Sequence, residues 1–417
     1  MTSELLFARA RGALGAVAPR AKSWWVPGRI EFLGKHTDYC GGPSLLCAVE
    51  RGFAIAAAPR ADAHVTIIDA TTGDRAAAEL SPDLIVRRRQ WANYPFTVCR
   101  RVARNFGGDL RGLDLAFASD LPSASGLSSS SALIVGTFLA LSDVNDLPER
   151  PEYRRAIHGP EDLAGYLGAV ENGGRFGALA GDHGVGTQGG SEDHTAMLCA
   201  HRDALVQYSF APIRFDRAIP LPSEAVFIVA TSGVRAAKTG NARAQYNRAS
   251  ALAAQALEAW RNRAGGAAPT LAAALREAGG FEQLRNVLRD RSELGARVEH
   301  FAAESRIVCA AGDALASDDL DALGTLVDES QRAAKELLGN QIPETIALAR
   351  SARELGAIAA SSFGAGFGGS VYALVRAGEA EAFRTRWADG YRRAFPTRVR
   401  TARFFVTRAG AGATRVE

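Results

Sequence analysis

Four segments of the chain carry residue types that can do chemistry. The first is Leu121-Pro-Ser-Ala-Ser-Gly-Leu-Ser-Ser-Ser-Ser-Ala132, a Gly/Ser loop running into an apolar stretch that continues to Gly136. Small residues let backbone N–H groups converge on one point. A helix beginning there adds its unpaired N–H groups and the positive end of its dipole. Such a loop suits a phosphate, and its serine hydroxyls add donors or a metal contact. A flexible Ser-rich linker is the alternative, although linkers seldom lead straight into an apolar run. The second segment, 26–42, sets Arg29, Lys35, His36 and Asp38 among glycines. It reads either as a polar site floored by backbone or as a solvated turn. The third, 186–194, offers Glu192 and Asp193 as bases or metal ligands, or simply as turn formers. The fourth, Gly364-Ala-Gly-Phe-Gly-Gly369, fits the letters of a dinucleotide fingerprint. That fingerprint should open a helix, and here it runs into the strand-like 371–375, so a hairpin turn or a closely packed loop is the better reading.

The elements that must hold these segments are legible in part. Residues 53–58, 64–69 and 113–118 read as strands, the last leading into the Gly/Ser loop. Residues 132–142 and 161–171 read as helices. A second β-run covers 226–230, and long helical stretches cover 243–263 and 310–356, with a break at 264–270. Residues 357–375 read as strand, Gly-rich turn, strand. The prolines of Ile219-Pro-Leu-Pro222 mark the lobe boundary, giving lobes 1–218 and 219–417. Strands and long helices in both halves without a βαβ rhythm predict an α+β protein.

Composition narrows the classes further. At 417 residues the chain is too long for one core, so two lobes around a cleft are expected. The 49 basic and 45 acidic residues are too balanced to argue for nucleic acid. The clusters at 87–89 and 100–101 are short enough to be solvated faces. Five scattered cysteines without zinc spacing, no leader pattern and no membrane-length apolar run predict reduced thiols in a cytoplasmic protein that does not enter a membrane.

Taken in register, the segments resemble a known family. Pro27-Gly-Arg-(x)4-Gly-Lys-His-Thr-Asp-Tyr-x-Gly-Gly42 resembles the galactokinase signature of the GHMP small-molecule kinases. Pro122-x-x-x-Gly-Leu-Ser-Ser-Ser is similar to that superfamily's ATP-phosphate loop, and 364–369 resembles its third motif. Trp91-Ala-Asn-Tyr94, Ala169-Val-Glu-Asn172, Asp328-Glu-Ser-Gln331 and Tyr246-Asn-Arg248 are smaller echoes. The resemblance implies a ribosomal-protein S5 domain 2-like N-terminal lobe and a ferredoxin-like C-terminal lobe, with ATP and a sugar between them.

It also implies roles. Asp193 matches the catalytic aspartate and Arg29 the catalytic arginine. A carboxylate that accepts the proton of an anomeric hydroxyl improves a poor nucleophile, and an adjacent guanidinium stabilises charge on the transferred phosphoryl group. Asp38 matches the aspartate that binds sugar hydroxyls. Lys35, His36, Gly190 and Tyr246 fall beside the sugar. Ser125, Gly126, Leu127, Ser128, Ser129, Ser130 and Ser131 cradle the ATP phosphates, and Trp91 borders the adenine. Ser129 or Ser130 with Glu171 holds Mg2+. The implied partners are ATP and a small sugar, in a monomer or weak homo-oligomer.

Three departures from the family pattern fall near the implied sugar. Lys35 stands where galactokinases typically carry Glu. An ammonium donates where a carboxylate accepts, so Lys35 either pairs with the C6 carboxylate of a uronic acid, or turns away, or pairs with Glu31 or Asp38. Residues 189–194 read Gly-Gly-Ser-Glu-Asp-His where Cys-Gly-(apolar)-Met-Asp-Gln is usual, so Glu192 competes with Asp193 as base. Extra residues occur at 173–184 and 238–243. The expected activity is ATP- and Mg2+-dependent phosphorylation of the anomeric hydroxyl of a galactose-like sugar. A kinase of another sugar such as galacturonate and a sugar- and ATP-binding sensor are the alternatives. An NAD(P)-dependent oxidoreductase would rest on the glycines of 364–369 alone.

Overall fold

The segment that carries Arg29 is a strand, which its mixture of charged and glycine residues conceals. In the computed structural model, which describes residues 2–86, 91–122, 126–234, 241–264, 267–277 and 279–416, β1 (Lys22–Leu33) pairs antiparallel with β2 (Pro43–Pro59). Irregularities in register fall at Pro27/Arg29 and Glu31/Leu33. Such bulges re-aim side chains beside functional sites.

This hairpin is the spine of a nine-stranded sheet ordered β13-β1-β2-β5-β3-β4, with β12 and β6 also on β2 and β7 on β6. Here β3 is His64–Asp69, β4 Arg75–Glu79, β5 Leu113–Ser119, β6 Ala204–Ser209 and β7 Arg214–Pro220. Three of the expected strands therefore form, one of them within β2. The short β12 (Ala409–Gly410) and β13 (Thr414–Val416) come from the end of the chain, so the C-terminal tail returns to the first sheet. Only β3 and β5 are paired in parallel; the other strand pairs of this sheet are antiparallel.

The second sheet is ordered β11-β8-β10-β9, built from β8 (Ala225–Thr231), β9 (Ala359–Phe363), β10 (Ser370–Arg376) and β11 (Arg403–Thr407). All its pairings are antiparallel. The helices Pro343–Glu354 and Ala380–Ala394 cover it, with Trp387 buried between them and its indole N–H on the Leu348 carbonyl oxygen. The stretch expected as one helical run at 310–356 is divided. The helix Ser292–Ala316 ends at Asp318, whose backbone is left-handed; Leu320–Ala333 follows, and a π turn leads to Gly339 before the Pro343 helix. Pro343 at a first helical position starts a helix well but cannot sit inside one.

The two sheets share one core. The Phe32 ring of β1 stacks on Tyr372 of β10 at 4.9 Å, and Phe227 of β8 meets both edge-on. The Tyr372 hydroxyl donates to the Phe32 carbonyl oxygen at 2.8 Å. Burying a ring such as Phe32 contributes about 1.5–3 kcal/mol. Phe32 thus fixes the height at which its neighbours on β1, Arg29 and Glu31, meet the second half of the chain. Four of the five cysteines are buried and Cys309 is exposed. No helix among the described residues is long and apolar enough to cross a membrane.

Candidate active site

Arg29, Asp193 and the Gly/Ser loop meet at one point. Arg29 is 3% exposed, and its Nε donates to Asp193 Oδ1 at 2.7 Å. Its Nη1 donates to the Gly126 carbonyl oxygen at 2.5 Å. Asp193 lies in the first turn of the helix Glu192–Cys199, and its Oδ2 accepts from the Ser128 hydroxyl at 2.7 Å. Burial works against the Arg29 charge, but Asp193, Glu31 and Glu192 around it outweigh burial and push its pKa up.

The loop is followed by the helix its sequence announces, Ser129–Val144, with Ser128 in left-handed backbone at its N-cap. The Ser131 hydroxyl donates to Glu171 Oε2 at 2.8 Å and lies 3.2 Å from Asp193 Oδ2. It has one proton, and the shorter contact takes it to Glu171. Ser129 and Ser130 lie half-buried in the first helical turn. The serine brought to Glu171 is therefore Ser131, two positions after Ser129. Ser128, at the N-cap, and Ser131, in the first turn, both reach Asp193 Oδ2. Leu127 is buried, with its carbonyl beside Gly28. Ser125 lies outside the described residues.

The glycines of 364–369 link β9 to β10 as a hairpin turn and pack on the loop, as the second reading of that motif required. Gly364 has φ +78°, and a Cβ there would sit 3.0 Å from the Gly126 carbonyl oxygen and 3.2 Å from Arg29 Nη2. A side chain at this position would push the arginine off its aspartate.

On the other side of Asp193 lies a polar cleft lined by His36, Asp38, Gly190 and Tyr246, with Glu31 and Glu192 in its wall. Asp38 Oδ1 accepts from Tyr39 N at 2.8 Å, and its Oδ2 accepts from Glu192 N at 3.1 Å, so it also caps the Asp193 helix. A Cβ at Gly190 would meet Asp38 Oδ2 at 2.3 Å, so the approach of the two segments demands glycine. His36 has φ +58°, lies 5.1 Å ring to ring from Tyr246, and is held through Nδ1 by the Tyr39 hydroxyl at 2.8 Å. Burial, then the charge of Asp38, pushes the Tyr246 hydroxyl pKa well up. Burial raises the Glu31 carboxyl to about 7, partly offset by Lys35 and Arg29. Burial and the charge of Glu31 raise Glu192 as well. Two carboxyls so close share one proton.

Lys35 is the residue the structure moves out of the expected site. It is 1% exposed, and its Nζ donates to the Ser330 hydroxyl at 2.9 Å and lies 4.0 Å from Glu304 Oε1. The same Glu304 oxygen accepts from Gly34 N at 2.9 Å and Lys35 N at 3.1 Å. Glu304, on the helix Ser292–Ala316, captures the whole turn and draws the ammonium away from the cleft. The side chain does turn away, but its carboxylate is Glu304 rather than Glu31 or Asp38. Glu304 is 269 residues distant in the chain, and no local pattern points to it.

The extra stretch at 173–184 is a strap. Asp182 accepts from Arg100 Nε at 2.7 Å and lies 3.5 Å from Arg101 Nη1, and Asn105 Nδ2 donates to the Ala180 carbonyl oxygen at 3.1 Å. The Arg100-Arg101 pair is thus buried rather than a solvated face; residues 87–89 lie outside the described residues, as do 238–240 of the second insertion. Val185 N returns to the Glu171 carbonyl oxygen at 2.9 Å, and Asn172 Nδ2 holds the Gly189 carbonyl oxygen at 2.9 Å. The strap ties the Glu171 helix to the Gly189-Gly190 turn. Trp91 sits half-buried with its ring edge on Phe117 at 5.6 Å.

Comparisons with known proteins follow the same segments. The family model described as the galactokinase galactose-binding signature matches residues 15–59, the GHMP kinases N terminal domain matches 93–166, and the GHMP kinases C terminal model matches 313–393. A galactokinase of Roseiflexus sp. (strain RS-1) is 30% identical over 404 residues, covering 94% of this chain and 92% of the relative. A galactokinase of Chloroflexus aggregans (strain MD-66 / DSM 9485) is 33% identical over 402 residues, covering 93% and 91%. The crystal structure of Lactococcus lactis galactokinase complexed with galactose superposes with a TM-score of 0.82 at 22% identity, covering 99% of both chains. The mevalonate kinase of Methanococcus jannaschii shares the fold at a TM-score of 0.57 and 13% identity, covering 94% of this chain and 98% of that one. The chain belongs to the galactokinase family of the GHMP kinases.

Proposed function

We infer that the protein is an ATP-dependent sugar 1-kinase that phosphorylates the anomeric hydroxyl of galactose. The observation that carries the reading is the placement of Asp193. It lies between the phosphate loop and the cleft of Asp38, His36 and Tyr246, with Arg29 on one oxygen and Ser128 on the other.

A carboxylate has about four acceptor sites. Arg29 Nε and Nη2 take Asp193 Oδ1, and Ser128 takes one site on Oδ2. The Ser131 hydroxyl lies beside both Glu171 and Asp193 Oδ2, and Asp193 lines the cleft. A sugar hydroxyl reaching Asp193 from the cleft donates its proton to the carboxylate as its oxygen bonds to the terminal phosphorus of ATP and the bond from that phosphorus to the leaving ADP breaks. The Arg29 charge favours the carboxylate form of Asp193 before transfer and offsets negative charge on the transferring group. The backbone of the loop, the dipole of the Ser129 helix and the hairpin 364–369 hold the phosphates in place. Asp38 and His36 hold the sugar's remaining hydroxyls.

The donor set also suits Mg2+. Among the described residues no group of three or more His, Cys, Asp and Glu side chains could hold a metal. Mg2+ in a kinase is typically held by one or two carboxylates with phosphate oxygens and water. Glu171 and a hydroxyl of the first helical turn, from Ser129, Ser130 or Ser131, would supply the protein's share. Such an ion neutralises charge on the transferring phosphoryl group.

The burial of Lys35 favours galactose over a uronic acid. The cleft wall holds Glu31, Asp38, Glu192 and Asp193, and the ammonium that would meet a C6 carboxylate is turned toward Glu304. Release of ADP measured with a panel of free sugars tests both points. Galactose should drive turnover and galacturonate should not. Turnover of galacturonate alone overturns the sugar assignment, and binding of galactose without ADP release overturns the kinase reading in favour of a sensor.

A further inference from the structure

The residue after the base has no partner that explains its burial. His194 is 1% exposed, sits in the first turn of the Glu192–Cys199 helix and faces the cleft. Among the described residues neither ring nitrogen has a hydrogen-bond partner. Leaving such a group buried and unsatisfied is costly, and a bound ion is one of the standard ways to satisfy it. Its Nε2 lies 3.4 Å from Glu171 Oε2. That is longer than a good hydrogen bond. It is, however, the separation of two donor atoms that share an ion at about 2.1 Å each, roughly 3–3.4 Å.

We propose that His194 and Glu171 together form the protein's half of the divalent-metal site, and that the imidazole tunes it toward a first-row transition ion such as Mn2+ over Mg2+. The inference rests on Glu171 as the metal carboxylate of the proposed kinase. Carboxylate and hydroxyl oxygens suit Mg2+, whereas an imidazole nitrogen adds affinity for transition ions and almost none for Mg2+. The Ser131 hydroxyl, already on Glu171 Oε2, orients that carboxylate from behind. Phosphate oxygens, water and a hydroxyl of Ser129 or Ser130 complete the shell around these two side chains. Asp193, one residue before His194, stays on Arg29 and Ser128 and keeps its role as base.

The test uses the full chain with Mn2+ and ADP and no sugar, so it stands apart from the choice of sugar. Electron spin-echo spectroscopy of the bound Mn2+ should show coupling to one imidazole nitrogen. His194→Gln should abolish that coupling and weaken Mn2+ binding about tenfold or more, with Mg2+ binding, measured by competition, nearly unchanged. A wild-type spectrum with Mn2+ bound and no nitrogen coupling overturns the proposal without recourse to any variant. Equal weakening of Mn2+ and Mg2+ by His194→Gln overturns the claimed preference. A protein that gives the nitrogen signal but phosphorylates no galactose keeps the metal site and loses only the sugar assignment.

Discussion

Arg29 and Lys35 lie six residues apart in one segment, both cations are almost wholly buried, and each faces a carboxylate, yet they serve opposite ends. Arg29 meets Asp193 at the mouth of the phosphate loop, and both line the cleft. Lys35 meets Glu304, whose Oε1 is filled by two backbone N–H groups and the Ser330 hydroxyl. The first pair lines the cleft, and the second lies away from it, tied to the Gly34 and Lys35 backbone and to Ser330. Burial and charge alone do not distinguish a reactive ion pair from a structural one. Whether the pair lines the cleft does.

The largest expected effect comes from removing the reactive carboxylate. Asp193→Asn keeps the shape but cannot take a proton, and should lower kcat for sugar-dependent ADP release by about a hundredfold to ten-thousandfold. Glu192→Gln is the control. Glu192 Oε2 accepts from the Ser44 hydroxyl at 3.1 Å, so this carboxyl is turned into the protein and its loss should leave kcat within about threefold. If the two variants exchange behaviour, the base is Glu192 and the comparison with Lys35 loses its first half.

The second effect falls on the structural pair. Lys35→Met leaves Glu304 charged and buried without its cation, and removing one partner of a buried pair costs about 3 kcal/mol. Chemical denaturation should show that loss, while kcat at saturating sugar and the ranking of galactose over galacturonate should persist. A variant that folds with wild-type stability but changes its sugar preference would place Lys35 at the substrate after all.

How much of this was legible in the sequence follows from the same contrast. The Gly/Ser loop, the Asp193 segment and the hairpin 364–369 announce themselves because backbone geometry writes itself into local composition. Phosphate loops need small residues, and Gly364 needs its positive φ. β1 was hidden because Pro27-Gly28 in its middle reads as a turn rather than as the bulge of a continuous strand. Within the proline-rich segment read as the lobe boundary, β7 continues to Pro220, on an edge where proline is tolerated. The return of β12 and β13 to the first sheet, and the pairing of Lys35 with Glu304, depend on contacts hundreds of residues apart. That Lys35 turns away was among the expectations, but its partner was not legible, because a substituted charge is judged against its neighbours in sequence and Glu304 is not one of them. His194 was passed over for the same reason: its meaning lies in the distance to Glu171.

The smallest effect concerns the two carboxyls in the cleft wall, which sharpen the contrast from a third side. Burial raises Glu31 from 4.5 to about 7, with Lys35 and Arg29 opposing the shift. A carboxyl whose pKa is higher folded than unfolded binds a proton on folding. Its contribution is therefore most favourable below the unfolded value and is lost as pH rises through the folded one. The unfolding temperature should decline between about pH 5 and about pH 7.5 and then level off. Glu31→Gln, which is neutral throughout and leaves Glu192 without its charged neighbour, should flatten that decline in thermal scans at several pH values. An equally steep decline in Glu31→Gln would mean that the proton sits elsewhere. Arg29 would then hold both Glu31 and Asp193 as carboxylates, and its raised pKa would measure three full charges rather than one base and a shared proton.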